Sequence, residues 1–342
     1  MTDMSKDLSL KNFFDRLKKL DSKLVTTKSK KQLLPDWWTT SLNKSPSAVQ
    51  QAIVSMSRML NLELTTVLDP LQELKLRNVT CQYKKSKGTE VNDLAVATSI
   101  IHGLAMTAAA AMTKDYHPLP SALELRNKIL GNAEPWVSFE TLINICWDYG
   151  IPVLHIPALP SSKKMDAVVV DVDGRPVIAL TSNKAQSSWL LFHLAHEVGH
   201  IAKGHLKRGE TLIDEKFNEQ EQGGDLQEIE ADEYALELLT GDSEKQYYSR
   251  GHMTAENLAQ QVKNISKEQN VDPGHIVLNW AFKMSISGST VYWAIAQSTL
   301  NSLYPTPSWR ELLHQKMDEH FDEDSVSDSE FDYLFRLTGV SS

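Results

Sequence analysis

Cysteine is nearly missing from this chain, with two among 342 residues, Cys81 and Cys146. So sparse a pair gives no disulfide framework and no CxxC metal knuckle, and it suits a reducing cytoplasm. Any bound metal must then be held by histidine and carboxylate. Long apolar runs are scarce too. The alanine-rich run from Gly103 to Met112 is far too short to span a bilayer, and the opening MTDMSKDLSL lacks a signal peptide's apolar core. A cytoplasmic protein with no membrane partner is the expectation. There is also no excess of positive charge, since 35 Lys and Arg face 44 Asp and Glu for a net charge of −9. Internal repeats and low-complexity linkers are absent.

What is present describes a globular chain, 41% hydrophobic and 23% charged, long enough for two domains or one large domain with appendages. Charge is unevenly spread. Residues 1–44 carry ten Lys and Arg against five acids, and 317–332 carry eight acids with no Lys or Arg. The basic stretch reads as a solvated helix face, and the acidic one as a solvated or partly disordered end whose aromatics leave room for docking. Apolar spacing predicts a helix over residues 5–20. Ser45-Pro46-Ser47 reads as an N-cap with proline in the first turn of another, followed by a short helix ending before Pro70. This rhythm resembles part of a helix-turn-helix, but no basic recognition helix follows, so direct DNA binding is disfavoured. Further helices are expected over 91–113 and 120–131, with a loop at Lys84 to Gly88. Composition then changes. GIPVLHI (150–156), AVVVD (167–171) and PVIALT (176–181) are short strand signals, and Val172-Asp173-Gly174-Arg175 between the last two is a hairpin turn. The expected architecture is α+β and mostly helical: a helical N-terminal region (1–133), a catalytic domain (134–300) with a small antiparallel sheet, and an acidic tail (301–342).

The sheet immediately precedes WLLFHLAHEVGHIAKGH, which contains His196-Glu197-Val198-Gly199-His200. Two imidazoles four residues apart on one helix face can bind one Zn²⁺, and the intervening glutamate can act as general base. On a wheel of about 100° per residue, His196, Glu197 and His200 all fall within about 60° of His193. The other positions are apolar nearly all round, as in a buried helix, and buried polar groups need partners. A ligand face fits this stripe better than a cluster of satisfied core histidines.

A catalytic zinc needs a third protein ligand and one open position. His205 is one candidate, brought near if Gly204 ends the helix, although the spacing is not that of the metzincins. The stronger one lies in the helix that follows. Ala231, Asp232, Ala235 and Leu239 share the face of Glu228, within about 60°, whereas Glu230, Glu233 and Glu237 fall on the opposite, solvent side. Glu228 fits a third ligand, and Asp232 an acceptor that orients a ligating imidazole. Small Ala231 and Ala235 would let this helix approach HEVGH closely. The plainer reading of Glu228 is an acid complementing a helix start. Zinc here would make water acidic enough to attack a carbonyl, with Glu197 carrying its proton to the leaving amine. Among the residues available to stabilise an oxyanion, His193, Tyr234, Tyr247, Tyr248 and His252 are not separable by sequence, and His193 reads somewhat better as a packed, hydrogen-bonded core residue.

Three segments in order resemble the ImmA/IrrE family of metallo-endopeptidases: Asp173-Gly174-Arg175-Pro176-Val177-Ile178-Ala179-Leu180, then Phe192 to His200, then Glu228 to Leu239 in an E-x-E-A-[ND]-x-[FY]-A-x-x-L-L pattern. The resemblance covers about residues 150–240. It implies a gluzincin-like core: a small sheet packed on a zincin HExxH helix, with a ligand glutamate on the following helix. It also implies proteolysis of repressor-type transcription factors in stress, mobile-element or phage responses. Asp232 stands where many members have Asn, and Leu239-Thr240-Gly241-Asp242 replaces a common LL-x-P ending. The expected function is therefore that of a zinc endopeptidase acting on a partner protein, a helix-turn-helix repressor, held as an extended strand at the sheet edge. The competing expectation is a non-proteolytic zinc-containing sensor or interaction protein.

Overall fold

The computed structural model describes residues 8–77, 80–84, 91–157, 159, 166–184, 186–214, 226–286, 288–304 and 309–339. Its N-terminal part contains α1 (Leu10–Leu20), α2 (Thr27–Leu33), α3 (Pro46–Met59), α4 (Leu64–Leu68), β1 (Thr80–Lys84), α5 (Val91–Ala111) and α6 (Ala122–Gly131). The middle contains α7 (Phe139–Asp148), β2 (Val153–His155), β3 (Ala167–Val172), β4 (Arg175–Leu180), α8 (Ser188–Ala202), β5 (Glu210–Asp214) and α9 (Leu226–Thr240). Then follow α10 (Ala255–Gln269), α11 (Pro273–Ser285), α12 (Val291–Leu303), α13 (Trp309–His320) and α14 (Asp328–Thr338). The chain is mostly helical with one small sheet, an α+β arrangement. Of the loop expected at Lys84 to Gly88, Lys84 instead ends β1, and the remainder lies outside the described residues.

Local signals work as the chemistry requires. Ser45 accepts from the Ala48 N–H and starts α3 with Pro46 in its first turn. Asp173 and Gly174 both adopt positive φ, 54° and 95°, which is the backbone of a type I′ turn, and they join β3 to β4. The Asp171 carboxylate accepts from the backbone N–H of Gly174 (3.0 Å) and of Gly209 (2.8 Å), tying this turn to the entry into β5.

The sheet order is β1-β5-β3-β4-β2. It is mixed, which corrects the expectation of an antiparallel sheet: β3 pairs antiparallel with β4 and β5, but β2 pairs parallel with β4, and β1 parallel with β5. The reason is the crossover. The segment between β1 and β5 holds α5, α6, α7, three strands and α8, ample chain to return in parallel. Helices α5 and α8 both pack on β3 and β4. With both faces covered, β3 and β4 read as nearly unbroken apolar runs rather than alternating ones.

Helix α5 contains an 18-residue window, Leu94–Ala111, long and apolar enough to cross a membrane by composition. Here it is the central core helix, with Ala97, Ile100, Ile101, Leu104, Ala105 and Ala108 buried and with α3, α14 and the sheet around it. The acidic end also departs from expectation. Instead of a solvated tail it forms α13 and α14, whose Trp309, Leu313, Met317, Tyr333, Leu334 and Leu337 are buried. Apolar residues at helical spacing outweigh the net charge, because Asp328 and Glu330 sit in the first turn of α14, where the helix dipole favours them. One continuous hydrophobic core runs from Phe13 to Leu337, and a second, smaller one unites α10, α11 and α12.

The two cores meet at Arg126, whose buried guanidinium donates to the carbonyl oxygens of Leu238 and Leu239 (3.2 and 2.8 Å) and of Gln269 and Asn270 (3.2 and 2.8 Å). One cation thereby serves the carbonyl ends of both α9 and α10.

Candidate metal centre

Helix α8 lies in the core along most of its length, and His196, Glu197 and His200 are all buried. Burying two imidazoles and a carboxylate is costly unless each is held. The neighbouring helix supplies much of that holding. Gly199 leaves room for it: a β-carbon there would lie 2.8 Å from the Ala231 carbonyl oxygen and 3.1 Å from the Ala231 Cα. This contact brings Glu228 and Asp232, on the same face of α9, over the histidines.

The Nε2 atoms of His196 and His200 lie 3.0 Å apart, and the Glu228 carboxylate oxygens are 3.4 and 3.3 Å from them. A tetrahedral zinc with metal–ligand bonds of about 2.05 Å has ligands about 3.3 Å apart. The three spacings are close to this value, with the Glu228 carboxylate meeting His196 through one oxygen and His200 through the other. His196, His200 and Glu228 form the metal-capable cluster found among the described residues. Burial by itself would push the Glu228 carboxyl up, but hydrogen bonds and charge from the two imidazoles outweigh it and hold it well below the usual carboxylate range.

Behind the cluster, the Asp232 carboxylate accepts from His196 Nδ1 at 2.7 Å. An acceptor-only group on Nδ1 keeps a proton there, so that a metal ion displacing the Nε2 proton would meet a lone pair facing the cluster. His205, considered as a third ligand, is elsewhere. Its ring lies against the outer side of His200, with Nδ1 2.9 Å from His200 Nδ1, and its Nε2 reaches Glu230 at 2.9 Å. Glu230, expected on the solvent side, is half-buried and engaged in this contact.

Glu197 is 1% exposed and follows His196 directly on the cluster side of α8. His193 is half-buried one turn earlier on the same stripe. Tyr234, an expected oxyanion candidate, does not serve: its hydroxyl donates to the Pro120 carbonyl oxygen at 2.9 Å and its Cβ lies against Gly199, on the side of α9 that binds α6 and α8. The Tyr247 hydroxyl is likewise committed, to Gln269 at 3.0 Å.

Phe192 and His275 were not anticipated beside the site. The Phe192 ring stacks on that of His275 from α11 with 6.2 Å between centroids, and lies 6.3 Å from the His196 ring. Burial pushes the His275 pKa down to about 4, so this imidazole is neutral. Its sequence signal was the Asp272-Pro273 helix start, where Asp272 accepts from the His275 N–H at 2.9 Å. A separate cleft of about 480 Å³ lies between α3, α5 and α14, lined by Arg58, Arg77, Met106, Ser325 and Tyr333, and shares no residue with the metal cluster.

Comparison with known proteins finds no matching family model, no matching curated protein and no matching solved structure.

Proposed function

We propose that this chain is a zinc-dependent endopeptidase of the ImmA/IrrE type, its sheet packed on a zincin-like HExxH helix. The carrying observation is the cluster of His196 Nε2, His200 Nε2 and the Glu228 carboxylate, with spacings of 3.0 to 3.4 Å, next in sequence to a buried Glu197. Two neutral imidazoles and one carboxylate are the ligand set of hydrolytic zinc sites, and three ligands leave a tetrahedral position open. When bound, the cation supplies an acidified water and polarises a substrate carbonyl.

The chain's own residues supply the rest. Asp232 fixes the tautomer of His196. The Glu197 carboxylate accepts a proton from the attacking water and returns it to the leaving amine. Phe192 walls the site on the α11 side, and His193, half-buried one turn before His196, is the donor we propose for the developing oxyanion. An extended substrate adding to the sheet would pair with one of its end strands, β1 or β2. The substrate class we propose is a helix-turn-helix repressor, in a cytoplasmic stress, mobile-element or phage response. Metal binding alone has no need of Glu197, so its presence favours catalysis over a zinc-containing sensor.

The test is metal analysis together with incubation of the protein with a repressor encoded beside it. We expect about one zinc per chain and cleavage by the wild type, with Glu197→Gln retaining zinc and losing 10²-fold or more of the rate, on the order of general-base contributions. Unchanged turnover in Glu197→Gln would overturn the mechanism. Intact metal binding with no cleavage of any co-encoded protein would favour the sensor.

A further inference from the structure

Resting on that metal-site reading, we propose that His205 and Glu230 are positioning residues. The hydrogen-bonded chain His200–His205–Glu230 does for the second ligand imidazole what Asp232 does for the first.

The local backbone builds the contact. At the end of α8 the N–H of His205 bonds the His200 carbonyl oxygen at 3.0 Å, and the N–H of Gly204 bonds that of Ile201 at 3.1 Å. Gly204 has φ +71°. These are the two bonds of a Schellman motif, and its left-handed residue turns the chain back on itself. Without that reversal, a continuing helix would carry His205 about 140° away from the His200 face. With it, the two rings meet at 5.1 Å between centroids and 67° between planes, and His205 is 6% exposed.

Proton bookkeeping along the chain has one solution. His200 Nε2 faces His196 Nε2 and Glu228, so as a ligand it presents a lone pair and carries its proton on Nδ1. That N–H donates to His205 Nδ1 at 2.9 Å, which must then be an acceptor. The proton of a neutral His205 is consequently on Nε2, and it donates to the Glu230 carboxylate at 2.9 Å. The carboxylate end locks one tautomer in both rings and sets the plane of the ligand imidazole. Glu228, Glu230 and Asp232, at alternate positions of one helix, thus all serve the same centre: one as ligand and two as supports.

The experiment is zinc affinity by chelator competition on the full chain, together with the visible spectrum of the Co²⁺-loaded protein. The proteins compared are wild type, Glu230→Ala, Glu230→Gln, His205→Phe, Glu228→Ala and the exposed control Glu233→Ala. Supporting acceptors of ligand histidines contribute roughly 10- to 100-fold to metal affinity. We expect a loss near the lower end of that range for Glu230→Ala and a larger one for His205→Phe. Both should shift the Co²⁺ bands, Glu230→Gln should recover much of the affinity because it keeps an acceptor, and Glu233→Ala should match wild type. Affinity within twofold of wild type and an unchanged spectrum in Glu230→Ala and Glu230→Gln would overturn the positioning role. Loss of stoichiometric metal in Glu230→Ala but not in Glu228→Ala would instead overturn the ligand set beneath it, as would a wild type that binds neither ion.

Discussion

A β-carbon at Gly199 would lie 2.8 Å from the carbonyl oxygen of Ala231, so α8 and α9 meet there backbone to backbone. Neither neighbour is a flexible side chain that can swing aside. This contact sets the distance between the histidines of one helix and the carboxylates of the other. Gly199→Ala should therefore cost about 1–3 kcal/mol, as overpacking does. It should also weaken metal binding by displacing Glu228. Denaturant midpoints and zinc affinity measured on the same samples test both parts; a destabilised protein with unchanged affinity would refute the second.

Asp232→Ala removes the acceptor of His196 Nδ1 and frees that ring to change tautomer. The expected outcome is a 10- to 100-fold loss of zinc affinity with little loss of fold, because Asp232 is half-buried rather than core. Asp232→Asn should lie between the two, since its amide oxygen still accepts. Chelator competition orders the three proteins.

Arg126→Met replaces a cation with an apolar chain of similar reach and leaves four carbonyl oxygens, the buried ones of Leu238 and Leu239 among them, without this donor. A cost of about 3 kcal/mol or more is expected. It should fall on the junction between the two cores, so hydrogen exchange in α9 and α10 should quicken more than in α5. Uniform quickening would argue against Arg126 as the tie.

His155 gives a pH signature remote from the metal centre. Burial lowers its pKa to about 4, opposed by a hydrogen bond from Nε2 to the Ser182 carbonyl oxygen and aided by the charges of Arg310 and His314. The unfolded imidazole titrates near 6.5. Between these values the native state holds fewer protons than the unfolded one, so the contribution is complete above about 6.5 and is lost as pH falls toward 4. Asp272, whose carboxyl burial pushes up to about 6, has the opposite slope, because its contribution is lost as pH rises. Comparing wild type with His155→Gln isolates the imidazole. From pH 7.5 to 4.5 the wild type should lose on the order of 2 kcal/mol more than the variant. Equal slopes would show that His155 does not titrate in this window.

Much of the site was legible because its signals are local. Helical spacing alone aligns His196, Glu197 and His200, and the wheel put Glu228, Ala231 and Asp232 on one face of α9. Glu230 was misread by that same wheel. A face pointing away from the ligands is solvent only if nothing returns to cover it, and His205 does so after the reversal at Gly204. Tyr234 stood among the oxyanion candidates because its partner Pro120 is 114 positions distant in the chain. The acidic end was read by its charge, whereas its fold follows the apolar spacing of Tyr333, Leu334 and Leu337.

By itself the sequence determined the elements with short-range causes: the capped helices, the β3–β4 hairpin, the His-Glu-His stripe and the carboxylates facing it. Periodicity and turn chemistry act over a few residues, and those are readable in order along the chain. Only the tertiary structure decided which strands pair in parallel, that α14 joins the core, and that Glu230 meets His205 behind His200 while Tyr234 turns to Pro120. Each depends on what a distant segment buries, and neither helix spacing nor local propensity carries that information.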